Sequence, residues 1–192
     1  MSNDINSFSA IELAHKFIAE NVSEGDRCID ATAGRGNDTA FLCELVGESG
    51  HVTAFDIQKD AIDSTAALLA SKGLSERATL VLGSHSGMDE YAEAGSIACV
   101  VFNFGWLPGG DHNINTRAQT SLEAVGKALE LLRPDGIISI SIYYGRNTGF
   151  EERDALLEYF RQIDSRRFTV LVGDFANRGG CPPIPVFIWK GR

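Results

Sequence analysis

Two carboxylates on either side of a glycine loop offer the first chemistry in this chain. Asp30 ends the apolar run Cys28-Ile29-Asp30, and Ala31-Thr32-Ala33-Gly34-Arg35-Gly36-Asn37-Asp38-Thr39 follows it. A helical pattern then begins with Ala40, Phe41, Leu42, Leu45 and Val46. Gly34 and Gly36 permit a sharp turn and the close approach of a ligand, and the helix start leaves backbone N–H groups free. Asp30 either meets a cationic or amino-bearing ligand or caps the turn that follows it. Twenty residues past Gly36, the run His51 to Phe55 ends on Asp56, where an acid commonly takes a ribose diol. This is the pattern of a nucleoside-cofactor site.

Two cofactors fit a strand, glycine loop, helix, strand and acid in that order. A dinucleotide wants G-x-G-x-x-G, with the third glycine giving close helix–strand contact. Thr39 stands at that third position, and Asp38 would face the pyrophosphate. S-adenosylmethionine carries no phosphate and bears an ammonium, which acids at Asp30 and Asp38 suit. Methyl transfer is the chemistry expected.

The elements that must position these groups follow from periodicity. Residues 10–21 have helical spacing, with Ser9 and Glu12 at capping-box distance, and this helix is placed to pack over the cleft. Strands are expected at 26–30, 51–56, 77–82, 96–102, 137–143, 167–172 and 186–190, and helices at 37–46, 58–71, 116–132 and 151–163. Gly73 supplies a helix stop, and Arg133-Pro134-Asp135-Gly136 a turn. Such alternation predicts a mostly parallel α/β sheet. The last two strands lack a helix between them, which permits an antiparallel final hairpin. In such a sheet ligands bind beyond the carboxyl ends of the strands. Every polar cluster lies at such an end: Asp30 with its loop, Asp56 and Gln58, Ser84-His85, Asn103 to His112, and Tyr143 to Asn147.

Composition narrows the class. The chain has 192 residues, 44% of them hydrophobic and 22% charged, which suits a single globular domain over 1–192. No apolar run is long enough to span a membrane, and Met1 to Ser9 lacks the parts of a signal peptide, so a cytoplasmic location is expected. Cys28, Cys43, Cys99 and Cys181 have no metal-like spacing, and no metal is expected. The net charge of −9 argues against a general polyanion binder. The acidity is uneven, however. Residues 1–132 carry 8 basic and 19 acidic side chains, whereas residues 133–192 carry 9 and 7, so a nucleic acid would more readily meet the C-terminal third.

The blocks Asp30 to Thr39, Phe55-Asp-Ile-Gln58, Ser84-His85, Asn103-Phe-Gly-Trp-Leu-Pro-Gly-Gly-Asp111 and Asn177…Pro182-Pro183 resemble a small family of class I methyltransferases. This rRNA methylase family includes the tRNA 5-aminomethyl-2-thiouridine methyltransferase. The resemblance spans nearly the whole chain in order. Arg35 stands where the family usually has Asn, and Phe104 and Trp106 stand for Leu and Tyr.

The resemblance implies a seven-stranded Rossmann-like sheet with an antiparallel last strand and helices on both faces. It also implies S-adenosylmethionine as donor and the exocyclic amine of a modified wobble uridine in tRNA as acceptor. Carried over, Gly34, Gly36, Asn37 and Asp38 line the methionine portion and Asp56 takes the ribose. Gln58, Ser84 and His85 serve the adenosine, and Asn103 lies beside the transferring methyl. Asn103, Gly105, Trp106 and Asp111 form the reacting side, with Asp111 and His112 as candidate proton acceptors.

Several readings stay open. His85 is either an adenine contact or a satisfied loop histidine, and Trp106 either a platform for a base or a core aromatic. The Tyr143 to Asn147 loop either contacts RNA or only covers the site. His15 and His51 read as structural. Competing functions are an rRNA or small-molecule methyltransferase and a non-catalytic nucleotide- or RNA-binding module. Both a monomer and a homodimer fit.

Overall fold

A computed structural model describes residues 8–105, 118–145 and 149–192. Helix α1 (Ala10–Asn21) opens it, and both halves of the expected capping box form between Ser9 and Glu12. There follow β1 (Arg27–Asp30), α2 (Asn37–Val46), β2 (His51–Asp56), α3 (Lys59–Lys72) and β3 (Ala78–Leu82). A short 3-10 turn, His85–Glu90, leads to β4 (Ile97–Phe104). Then come α4 (Ala118–Leu131), β5 (Leu132–Ile142), α5 (Gly149–Gln162), β6 (Phe168–Val172) and β7 (Ile184–Lys190). Gly73 closes α3 in the left-handed conformation, as its position predicts. No helix among the described residues is long and apolar enough to cross a membrane.

The seven strands form one sheet in the order β3-β2-β1-β4-β5-β7-β6. Pairing is parallel from β3 to β5, while β7 runs antiparallel to both β5 and β6. Strand order reverses between β1 and β4, so the switch point lies at the ends of Asp30 and Asn103. The last strand inserts between β5 and β6 instead of extending the edge. Most element boundaries differ from the sequence reading by one or two residues, and two of the differences bear on the site. Residues 132–136 already belong to β5, through a Leu132–Ile97 pairing and a register shift, with Asp135 at φ 60°. Strand β4 also runs two residues further than expected, which makes Asn103 part of a strand rather than of a loop.

That extension sets the geometry of the site. Strand side chains alternate between faces. Val100, Phe102 and Phe104 join the core shared with α4 and α5, while Cys99 and Val101 join the core shared with α1, α2 and α3. Asn103 is in step with Cys99 and Val101 and so lies on the α1–α2 side. On β5, Ile138, Ile140 and Ile142 take the first face, which puts Ser139, Ser141 and then Tyr143 on the second. Helix α1 is pinned over this side by Phe17, whose ring lies 4.5 Å from Phe187 and 4.9 Å from Trp189.

Candidate active site

The glycine loop is held from below and from one side. Asp30 is fully buried; its Oδ1 accepts the Thr32 N–H at 3.1 Å and its Oδ2 accepts the Thr39 hydroxyl at 2.6 Å. Unlike Asp38 and Asp56, which keep exposed surface, Asp30 has none, and its contacts match the turn-capping alternative. It holds the loop from beneath. Asp56 holds the loop from the side, its Oδ2 accepting the Gly34 N–H and its Oδ1 the Gln58 N–H, each at 2.9 Å. Gly34 and Gly36 have φ of 55° and 83°. A Cβ on Gly36 would stand 2.9 Å from the Thr65 Cα of α3, so this glycine serves packing as well as the turn.

Burial, and then the charges of Asp38 and Asp56, push the Asp30 carboxyl up to about 7. The native state therefore keeps a proton that the unfolded chain releases near 3.8. The resulting stability is fully present below about pH 4 and is lost as pH rises through about 7. With 1.36 kcal/mol per pKa unit, the fall is at most about 4 kcal/mol. An Asp30→Asn variant, whose amide can accept from Thr32 and donate to Thr39, should lose this slope. Denaturant melts of both proteins between pH 4 and 8 test this, and parallel profiles would refute it.

Above the loop, three elements converge on Asp38 in the first turn of α2. Its Oδ1 accepts the His15 Nε2–H from α1 and its Oδ2 accepts the Asn103 Nδ2–H from β4, both at 2.7 Å. The His15 ring also stacks on Phe41, with centroids 4.1 Å apart. The Asn103 backbone N–H donates to the Thr32 hydroxyl at 2.7 Å, joining the end of β4 to the loop after β1. At the neighbouring end of β5, burial and then the Asp38 charge raise the Tyr143 phenol above its usual range. Gly105 has φ 137°, and a Cβ there would meet Tyr143 at 2.8 Å; it lets the β4 and β5 ends approach.

On the other side of the switch point, Ser84 caps the 3-10 turn through the Ser86 N–H. His85 is buried, and its Nδ1–H donates to the Ala31 carbonyl at 3.2 Å. Burial holds its pKa below the usual imidazole range, so the ring is neutral and Nε2 is an acceptor. That atom is buried and has no hydrogen-bond partner among the described residues. Beside Asp56, Ile57 and Leu82 stand exposed, and Leu82 is in register with Asp56. A neutral acceptor, an apolar surface and a carboxylate at the end of β2 fit an adenosine, with its amino group, flat base and diol. Asn37 lies exposed at the helix start. Trp106, Asp111, His112, Arg146 and Asn147 lie outside the described residues.

Four contributors escaped the sequence reading: His15, Thr32, Ile57 and Leu82. Ile57 was legible as an apolar residue directly after the acid. His15 sits one residue past buried Ala14, at the margin of the apolar stripe of α1, but nothing local shows what it meets. His51 reaches only Thr79 among the described residues, in keeping with a structural role.

Residues 52–189 match the protein family described as "Putative rRNA methylase". Over 190 residues the chain is 40% identical to an Arabidopsis thaliana protein named tRNA (mnm5s2U34)-methyltransferase, chloroplastic, covering 94% of this chain and 69% of that one. A Clostridium thermocellum structure described as "putative rRNA-methylase" superposes with TM-score 0.94 at 46% identity, covering 97% of this chain and 100% of that one. A Streptococcus mutans structure described as "a putative methyltransferase" in complex with S-adenosylhomocysteine gives TM-score 0.87 at 34% identity, over 96% and 99% of the two chains. Sheet order, switch-point site and these likenesses define a class I methyltransferase that uses S-adenosylmethionine. Within that class, the chain belongs to the rRNA methylase family matched above.

Proposed function

We propose that the protein methylates the exocyclic amine of 5-aminomethyl-2-thiouridine at the wobble position of tRNA. The observation that carries this reading is the 40% identity, over 94% of the chain, to a protein named for that tRNA nucleoside.

The rim of the site supports an RNA acceptor. Lys16, Arg153 and Arg178 stand over aromatic rings around the carboxyl ends of the strands. Lys16 lies 4.2 Å over exposed Phe8, Arg178 4.0 Å over Phe175, and Arg153 4.9 Å over Tyr144. Arg178 also donates to the Phe8 carbonyl at 2.8 Å, tying the β6–β7 loop to the start of α1. Cations beside aromatic faces suit phosphates and unstacked bases, and they gather here despite the acidic total.

In this reading Gly34, Gly36, Asn37 and Asp38 hold the methionine portion and Asp56 the ribose. Gln58, Ser84, His85 and the Ile57–Leu82 surface hold the adenine side. Bound S-adenosylmethionine supplies an already activated methyl group, so the chain's own task is positioning. The Asn103 amide nitrogen is committed to Asp38, which leaves Oδ1 to accept an N–H of the acceptor amine and aim its lone pair. Desolvation of the amine on entering the site favours its neutral form over the ammonium.

The test is incubation with labelled S-adenosylmethionine and tRNA from cells lacking the enzyme, followed by nucleoside mass spectrometry. Conversion of 5-aminomethyl-2-thiouridine to its N-methyl form is expected. No label in the tRNA, with label appearing in a parallel incubation with ribosomal RNA or in neither, would overturn the acceptor. Lys16→Ala with Arg178→Ala should raise the KM for tRNA roughly tenfold at low salt, less at higher salt, and leave cofactor affinity unchanged.

A further inference from the structure

We propose that His15 is a positioning residue for methyl transfer, acting through Asp38 on the side-chain amide of Asn103. The inference rests on the placement of Asn103 beside the acceptor amine argued above.

The chain of contacts is continuous and uses both oxygens of one carboxylate. His15 Nε2 and Asn103 Nδ2 each lie 2.7 Å from Asp38, on Oδ1 and Oδ2 respectively. The three residues come from α1, α2 and β4, separated by 23 and 65 positions along the sequence. A primary amide has an oxygen end and a nitrogen end of nearly equal shape, and only its partners decide which way it faces. A carboxylate accepts and cannot donate, so Asp38 holds the nitrogen end and turns Oδ1 away from itself. A carboxylate held at one oxygen alone can still swing about its own axis. The bond from His15 closes that freedom.

His15 is itself held on two counts. Its ring lies nearly parallel to Phe41, at 12° with centroids 4.1 Å apart, which sets the ring plane. The Asp38 bond sets its direction within that plane. Its side chain remains 31% exposed, and the burial that docks α1 comes from Ala10, Ala14, Phe17 and Ile18 instead. The fold does not need the imidazole for its core. What the imidazole adds is a donor aimed at the carboxylate that orients Asn103.

Two substitutions separate the hydrogen bond from the stack. His15→Phe keeps a ring against Phe41 and removes the donor. His15→Gln removes the ring and keeps an N–H that reaches about as far as Nε2. Steady-state methylation of tRNA, cofactor affinity by calorimetry and thermal melting are measured on the full chain. The comparison includes Asn103→Ala, Asp38→Ala and the His15→Phe/Asp38→Ala pair. His15→Phe should lower kcat roughly tenfold, a positioning loss, with KM and cofactor affinity within about threefold. His15→Gln should recover most of that rate. In the Asp38→Ala background His15→Phe should cost nothing more, because both changes break one linkage.

If His15→Phe keeps full kcat while Asn103→Ala is impaired, the His15 inference falls and the active-site reading stands. If His15→Gln is the slower variant, packing on Phe41 is what matters and the inference also falls. Additive losses in the double variant would show that His15 does not act through Asp38. A fully active Asn103→Ala would remove the placement of Asn103, and this inference with it.

Discussion

Replacing Asp38 by alanine is expected to cost methyl transfer about a thousandfold in kcat/KM while the protein stays folded. The carboxylate is the shared acceptor for His15 and Asn103, and removing it frees the Asn103 amide to rotate. A misplacement of about 1 Å in a reacting group costs on the order of 10²-fold. Asp38 also stands in the first turn of α2, where a negative charge meets the positive end of the helix, and it is the acid proposed to face the cofactor's ammonium. Loss of that charge-assisted contact adds roughly another tenfold through cofactor affinity. Asp38 is partly exposed, so its removal leaves no buried charge behind, and melting should shift by only a few degrees. Rates within threefold of the original would show that the carboxylate is not part of the reacting geometry.

Gly36→Ala is expected to abolish measurable cofactor binding and to lower the melting temperature by roughly 10 °C, from about 3–4 kcal/mol at a few degrees per kcal/mol for a chain of this size. Two costs combine. Gly36 sits at φ 83° at the start of α2, where a side chain is strained by about 1–2 kcal/mol. The new Cβ would also press on Thr65 of α3 at 2.9 Å from Cα, and overpacking adds about 1–3 kcal/mol. Gly73→Ala isolates the first cost, since Gly73 has φ 69° but nothing within 4 Å of where its Cβ would stand. It should shift melting by only a few degrees, about 1–2 kcal/mol, and leave cofactor binding intact. Equal effects at the two glycines would mean that loop packing against α3 is unimportant.

Most of the framework was legible along the chain because it rests on local rules. Helical spacing marks α2 and strand patterning marks β2 at the boundaries expected, 37–46 and 51–56. The Ser9–Glu12 box and the Gly73 stop follow from capping chemistry that acts over three or four residues. Family resemblance added the antiparallel last strand, which the missing helix before it had only permitted. The end of β4 was less legible. The run Phe102-Asn103-Phe104-Gly105 looks like the close of a strand, yet pairing with β5 continues through Phe104 and Ile142. An asparagine inside the pairing gains a fixed face, which an asparagine in a loop would lack.

The sequence by itself determined that the polar groups gather at the carboxyl ends of an alternating α/β sheet, because periodicities of two and 3.6 are properties of neighbouring residues. It also determined the cofactor class, since glycines and acids at these spacings suit an unphosphorylated, cationic nucleoside. Only the tertiary structure decided what each acid does. Asp30 turns inward to Thr32 and Thr39, Asp56 ties down Gly34, and Asp38 gathers His15 and Asn103. Carboxylates in similar local settings take different roles because their partners arrive from distant elements. Those elements are brought together by the order of strands in the sheet and by the docking of α1, neither of which local spacing encodes.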